Sequence, residues 1–421
     1  MRLSLLPVLC ALISTAVAAK SVPKGFVTRK GSRFELDGKP FYFVGANSYW
    51  LPLLTTQEDV ENTFKEMQGV GVKVLRTWGF NAINATELAG ATQSGLTYYQ
   101  VWNSSDWTLN DGPQGLQRLD NVIATAGRYG IKVILAFTNN WVGYGGAELY
   151  INWIAGAGNT HDVFYTDPRI ISSYQRYVKT IVDRYKNSST IFAWELMNEA
   201  RCLGDLPAGP HCVPGSGTLH TWYKRQSDFV RSLDPHHLIT TGGEGHFYWK
   251  RPVGYWLNGT FVSDYNFNGQ AGEDFDADMQ LENIDFGTYH LYPQFWYPEL
   301  DTPDSNFTIE SWGSGWIKDH ALAAKKAGKP VILEEFGVSG LANKTHIYPE
   351  WVDLALASDH AILISIGTVG LKENGGNRLI KYADALIDGA SPNDGFAIYK
   401  NQTAVWNLFT RAARIQAAKS V

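Results

Sequence analysis

Three times along this chain a helix-like mixture of polar and apolar residues ends at a glycine and runs into a short β-branched stretch. Residues 57–69 lead to Gly71-Val72-Lys73-Val74-Leu75-Arg76, residues 115–129 to Gly130-Ile131-Lys132-Val133-Ile134-Leu135-Ala136-Phe137, and residues 310–327 to Gly328-Lys329-Pro330-Val331-Ile332-Leu333. Glycine supplies the left-handed residue that closes a helix, and near-continuous apolar runs suit strands covered on both faces. Helices alternating with parallel strands follow. Phe41–Ala46, Thr190–Leu196, His237–Thr241, Ile284–Tyr289 and His360–Ile366 read as further strands, which makes eight, the number that closes a (β/α)8 TIM barrel. A small N-terminal β-hairpin, Phe26–Arg29 and Arg33–Leu36 joined through Lys30-Gly31-Ser32, is expected to precede it. Stretches 80–113, 138–167, 200–216, 242–283 and 367–400 are then largely long loops on the C-terminal face, where such barrels carry their chemistry.

With 44% hydrophobic and 18% charged residues in 421, the chain can bury a large core, and residues 20–421 are read as a single catalytic domain. A net charge of -5 and the absence of a basic block argue against nucleic acid as a partner. Residues 1–19 carry a basic start, an apolar stretch from Leu3 to Ile13 and a small-residue Ala16-Val17-Ala18-Ala19 end, the pattern of a secretory signal peptide. Nothing later is apolar for long enough to span a membrane. Loss of the leader removes Cys10 and leaves Cys202 and Cys212, an even pair suited to one disulfide outside the cell. Seven Asn-X-Ser/Thr acceptors, at Asn84, Asn103, Asn187, Asn258, Asn306, Asn343 and Asn401, fit a secreted glycoprotein.

Two apolar runs end in glutamates, Ile191-Phe192-Ala193-Trp194-Glu195-Leu196-Met197-Asn198-Glu199 and Val331-Ile332-Leu333-Glu334-Glu335-Phe336-Gly337. A carboxylate at the end of a buried strand is costly to place, and two of them suit cleavage of a glycosidic bond. Glu199 and Glu335, from different strands, are the expected pair. Residues alternate across a strand, so with ordinary geometry only one of Glu334 and Glu335 aims into the site. The 15 Trp, 21 Tyr and 20 Phe include rings that can stack on sugar faces, although most are expected in the core. The adjacent His236-His237 after Asp234-Pro235 reads as a turn, and neither a metal nor an organic cofactor is expected.

Six segments in order resemble glycoside hydrolase family 5, and within it the secreted fungal endo-β-1,4-mannanases. They are Gly45-Ala46-Asn47-Ser48-Tyr49-Trp50, Leu75-Arg76-Thr77-Trp78-Gly79-Phe80, Thr138-Asn139-Asn140-Trp141, Trp194 to Arg201, Thr288-Tyr289-His290-Leu291-Tyr292-Pro293 and Leu333-Glu334-Glu335-Phe336-Gly337. The resemblance covers essentially the whole mature chain and implies a retaining β-mannanase acting on mannan, glucomannan or galactomannan; the chain is expected to be secreted and monomeric. Glu199 then corresponds to the acid/base and Glu335 to the nucleophile. Arg76 and Tyr292 would hold Glu335 ionised, His290 would orient the network, and Asn198 would meet the sugar 2-hydroxyl. Glu199 would be kept protonated by partial burial and a negative neighbour. Trp50, Trp78 and Trp141 are candidate sugar platforms, with Trp78 alternatively packed beneath a loop. Asn140 and Arg201 are candidate sugar contacts, and Glu244 belongs either to the cleft or to a rim salt bridge. The family's eighth-strand tryptophan is missing from Ala361-Ile362-Leu363-Ile364-Ser365-Ile366-Gly367-Thr368-Val369-Gly370. An exo-acting β-mannosidase and a sugar-binding protein with a decayed site are the alternative readings.

Overall fold

The computed structural model describes residues 22–303, 305–369, 390–391 and 394–420, so the expected leader, residues 1–19, lies outside the described residues. Eight parallel strands form one sheet: β1 Val44–Asn47, β2 Val74–Trp78, β3 Lys132–Ala136, β4 Ile191–Glu195, β5 Leu238–Thr240, β6 Gly287–Leu291, β7 Val331–Phe336 and β8 Ala361–Ser365. Their spatial order runs β5-β4-β3-β2-β1-β8-β7-β6, and β8 pairs with β1 from Ile362↔Val44 to Ser365↔Asn47. The sheet is therefore a nearly closed (β/α)8 barrel, as the alternation of runs predicts. The β5–β6 seam is held by single bonds, among them Asp285 N to Ile239 O at 2.8 Å and His290 N to Glu244 O at 3.2 Å.

Helices α1 Gln57–Val70, α2 Leu116–Arg128, α3 Pro168–Tyr185, α4 Thr218–Leu233, α5 Ile309–Ala327, α6 Leu341–Ala357 and α7 Thr403–Lys419 form the outer layer. The three glycines expected to end helices do so with positive φ: 96° at Gly71, 66° at Gly130 and 64° at Gly328. Thr56 accepts a hydrogen bond from Asp59 N at the start of α1, and Thr308 forms a capping box with Ser311 at the start of α5. Between β5 and β6 the longest described helix is the single turn Phe275–Asp278, so the loose seam coincides with the crossover that lacks a full helix.

The N-terminal hairpin is present as Val27–Lys30 and Arg33–Leu36, with a third short strand at Lys39–Pro40. Its Phe34 packs against Phe43, Phe192 and Phe286 at ring distances of 5.8, 5.1 and 5.3 Å. The hairpin thus plugs the N-terminal mouth of the barrel with apolar surface, which leaves the opposite mouth for polar groups. Two expectations change. The sixth strand begins at Gly287 rather than Ile284, because Ile284 closes a turn onto Leu281 O at 3.2 Å, and this brings His290 inside the strand. The long loops also carry structure of their own, including a sheet of Ala82–Asn84, Gln100–Asn103 and Asp106–Leu109 and a hairpin of Gly254–Leu257 and Thr260–Ser263.

Candidate active site

Arg76, fully buried on β2, is the centre around which the C-terminal mouth is built. Its Nε and Nη2 donate to the two carboxylate oxygens of Glu195 at 2.7 and 2.6 Å, Nη2 also donates to Asn198 Oδ1 at 2.7 Å, and Nη1 reaches Asn47 Oδ1 at 3.1 Å and Glu335 Oε1. Buried charge is costly unless paired, and the paired carboxylates hold the guanidinium's pKa well above its ordinary value despite the opposing effect of burial. Glu195, seated at the end of β4, was not expected in the site. Burial pushes its carboxyl up to about 7 against the pull of Arg76.

Glu199 stands four residues beyond Glu195, after a turn wedged between the neighbouring strand ends. Met197 N donates to Thr241 O, Asn198 N to Thr138 O and Glu199 N to Gly242 O, at 3.1, 2.9 and 2.8 Å. Gly242 has a φ of 76°, and a Cβ there would lie 2.5 Å from Glu195 Cγ, so only glycine lets the two segments approach. Glu199 itself takes a φ of 54°, an uncommon conformation for a residue with a side chain. Its Oε1 lies 2.7 Å from His290 Nδ1, and its Oε2 accepts from Trp141 Nε1 at 2.5 Å. Burial alone would raise the Glu199 carboxyl, but the hydrogen bond and charge of His290 outweigh it and the net direction is down. This runs against the expectation that partial burial and a negative neighbour raise the Glu199 carboxyl. Burial disfavours the His290 cation, yet the charge of Glu335, the hydrogen bond to Glu199 and the Glu334 carboxylate 3.5 Å from its Nε2 hold its pKa well above the usual value, so both shifts favour keeping the proton of the Glu199–His290 pair on the imidazole.

The seventh strand brings a second correction. Along β6 and β7, Tyr289 pairs with Leu333 but His290 pairs with Glu335, so Glu334 is the extra residue of a β-bulge. Both neighbouring carboxylates therefore reach Arg76: Glu334 Oε2 lies 3.5 Å from Nε, and Glu335 Oε1 meets Nη1. They differ in access. The side chain of Glu334 is 0% exposed, whereas Glu335 keeps 17% and Glu199 14% of their surface, so the two carboxylates open to a ligand are the expected pair. Tyr292 Oη donates to Glu335 Oε2 at 2.9 Å, and burial together with the charge of Glu335 keeps that phenol protonated.

The remaining expected residues divide. Trp141 faces Glu199, and the Arg201 guanidinium lies 5.5 Å from its ring. Arg201 Nη2 donates to Glu244 Oε1 at 2.5 Å, so Glu244 forms the salt bridge of the two alternatives. Trp50 is 1% exposed and belongs to the core, contrary to its reading as a platform. Trp78 is stacked at 5.3 Å on Phe80, beneath the Arg76 guanidinium at 4.9 Å, as the packing alternative holds. Asn140 is buried too: its Oδ1 accepts from Arg201 N at 3.1 Å and bonds His161 Nε2 at 2.8 Å, and its Nδ2 donates to Leu203 O at 3.2 Å. It fastens the loop rather than facing the cleft. Asn198 has Oδ1 on Arg76 and donates from Nδ2 to Asn139 Oδ1 at 2.8 Å, which leaves one N–H of the amide.

Sequence reasoning missed Glu273, which bonds His246 Nδ1 and Tyr223 Oη, both at 3.0 Å, below Glu244. It also missed Phe396, half-buried with its ring 4.8 Å from that of Tyr292. The described part of the segment from Ala361 onward brings no aromatic ring, with Ile366 buried and Thr368 Oγ1 bonded to Thr63 Oγ1 at 3.0 Å, and Gly370 lies outside the described residues. The Asp-Gly-Phe run at 394–396 was the available signal. The expected Cys202–Cys212 disulfide is formed, and Cys202 N donates to Ala271 O at 2.7 Å, tying the loop after β4 to the loop after β5.

One carboxylate oxygen each of Glu199 and Glu335 and a ring nitrogen of His290 lie within 4.8 Å of one another, a spacing that a cation could also use. Arg76 already occupies Glu335, and a protonated His290 faces both acids, so a further cation would meet two existing ones. His237 is committed to Asp234 Oδ2 at 2.5 Å and Ser188 O at 3.0 Å, in the turn expected for it.

Residues 24–251 and 260–350 match the family model described as GH family 5 beta-mannosidase-like. The chain is 37% identical over 389 residues to mannan endo-1,4-beta-mannosidase F of Aspergillus clavatus, covering 91% of this chain and 77% of that protein. It is 37% identical over 384 residues to mannan endo-1,4-beta-mannosidase A of Podospora anserina, covering 91% and 89%. Among solved structures it resembles the endo-1,4-beta-mannanase from Rhizomucor miehei, with a TM-score of 0.76, 34% identity, and 93% and 99% of the two chains covered.

Proposed function

The chain belongs to glycoside hydrolase family 5, and from that premise we propose that it is a secreted, monomeric endo-β-1,4-mannanase cutting internal links of mannan, glucomannan or galactomannan with retention. The observation that carries this reading is the meeting within 4.8 Å of two partly open carboxylates, one in the turn after β4 and one on β7, the latter paired with a buried arginine. Retaining cleavage needs carboxyl groups about 5–5.5 Å apart. The endo mode and the mannan backbone are supported by the names of the relatives in Aspergillus clavatus and Podospora anserina. Secretion is supported by residues 1–19 and the Asn-X-Ser/Thr acceptors. Among the described residues no helix is long and apolar enough to cross a membrane.

In the first step an oxygen of Glu335 bonds to the anomeric carbon while the bond to the leaving sugar breaks. Glu199 passes the proton it shares with His290 to the departing oxygen, so the leaving group goes as a neutral hydroxyl. Arg76 and Tyr292 hold Glu335 as an oriented carboxylate before attack. In the second step water attacks the same carbon from the vacated side, Glu199 takes its proton, and the Glu335 ester bond breaks to regenerate the carboxylate. The free N–H of Asn198 is the candidate donor to the 2-hydroxyl.

Product analysis on a long β-1,4-mannooligosaccharide and on polymeric mannan, with cellulose as control, tests the proposal. Mixed short oligosaccharides from mannan are expected. Single sugars released only from one end would replace the endo reading with the exo one, and binding without turnover would replace catalysis with recognition.

A further inference from the structure

The hairpin Gly254–Leu257 and Thr260–Ser263 turns through Asn258-Gly259, whose φ values of 49° and 74° are those of a tight two-residue turn. One face is anchored: Tyr255 is buried with its ring 5.8 Å from Tyr297 and its hydroxyl 2.6 Å from Glu299 Oε1, while Leu257 and Val262 pack on the core. The other face carries Trp256 and Phe261 directly opposite one another, 50% and 54% exposed, with ring centroids 5.7 Å apart. Phe261 lies across Gly254, where a Cβ would come within 2.2 Å of its Cζ. Two large rings held open to solvent in this way mark a contact surface. Residues 252–259, with Trp256 among them, fall between the two stretches that match the family model.

The turn itself names the occupant. Asn258-Gly259-Thr260 is an exposed N-glycosylation acceptor, and Asn258 opens the turn two residues beyond Trp256 and three before Phe261. We propose that Asn258 carries an N-linked glycan whose first sugar rests on the Trp256–Phe261 face of this hairpin. The proposal rests on the secretory reading above. In the step that makes it, Asn258 Nδ2 bonds to the anomeric carbon of an oligosaccharide carried on a lipid pyrophosphate. The sugar–pyrophosphate bond breaks, the lipid pyrophosphate leaves with its electron pair, and one amide hydrogen departs as a proton. The apolar face of the attached sugar then covers rings that would otherwise be wet.

The full chain secreted from a fungal host tests this, with glycopeptides mapped by mass spectrometry. Occupied Asn258 is expected. Thr260→Ala removes the acceptor while leaving Asn258 in its positive-φ turn, and it should lower Tm by about 1–2 °C. The same substitution in a Trp256→Ala background should change Tm by nothing measurable, because the ring that held the sugar is gone. Asn258 bare while other acceptors are occupied overturns this proposal alone, and all seven bare overturns the secretory reading with it. Strictly additive Tm changes overturn the sugar–ring contact. A coupling that follows Asn306→Gln instead assigns the ring to the neighbouring acceptor, whose Oδ1 accepts from Trp256 N at 3.0 Å. Loss of binding to insoluble mannan in Trp256→Ala, with no Tm coupling, gives the face to the polysaccharide and overturns the glycan.

Discussion

Glu334 and Glu335, adjacent in the chain, both turn toward Arg76, Glu334 Oε2 standing 3.5 Å from its Nε while Glu335 meets its Nη1. The bulge in β7 makes this possible, and exposure separates the two. Glu335→Gln is expected to reduce turnover of mannan by about 10⁴-fold or more, whereas Glu334→Gln should cost about 10-fold or less, since its side chain is fully buried. Steady-state kinetics of both variants decide it, and a larger loss at 334 than at 335 would exchange their assignments.

The shared proton of His290 and Glu199 has a consequence for pH dependence. Replacing His290 by Asn removes the cation that lowers the Glu199 carboxyl, so that pKa rises. An acid with a higher pKa stays protonated to higher pH, and the basic limb of kcat/KM must move upward while kcat falls. A limb that stays in place or moves down contradicts the pairing.

The leaving group supplies an independent check on Glu199. Glu199→Ala should slow mannan hydrolysis by about 10²–10⁴-fold, yet spare formation of the covalent intermediate from an aryl β-mannoside whose phenolate leaves without protonation. Rapid-quench measurements should then show a burst of phenol followed by slow release of sugar. Equal loss on both substrates would remove Glu199 from the acid role.

Phe396 presses on the tyrosine that holds Glu335, with ring centroids 4.8 Å apart. Phe396→Ala is expected to lower kcat/KM on short mannooligosaccharides by about 10-fold, with most of that recovered in Phe396→Tyr. Unchanged kinetics would show that the ring merely fills space.

Glu273 is buried beside His246, and burial pushes its carboxyl up to about 7. A folded-state value above the unfolded one means the native protein binds the extra proton, so its contribution to stability falls as pH rises from the unfolded pKa toward 7. Glu273→Gln keeps the shape without the charge and should be close to neutral at pH 5 but stabilising by about 1–3 kcal/mol at pH 8. Melting curves of both proteins at the two pH values test the sign, and an equal difference at both would refute it.

What the sequence determined by itself was local: eight buried runs, the glycines at 71, 130 and 328 that end helices, the cysteine pair, and two glutamates at strand ends. Periodicity, left-handed caps and strand burial depend on neighbours a few residues away, and those neighbours are printed in the chain. The tertiary structure alone decided which groups share space. Alternation predicted one glutamate of the 334–335 pair at the site, but a register shift against β6 brought both. Glu195 entered because Arg76, 119 positions earlier in the chain, points at it, and the Glu199 carboxyl is held down rather than up by His290, 91 positions later. Trp50 and Asn140 follow strand ends, where cleft residues are expected, yet both are buried, since the direction of a side chain after a strand end is set by what packs over it. Charge pairing acts through space, so the protonation of this site became readable only once the barrel had closed around Arg76.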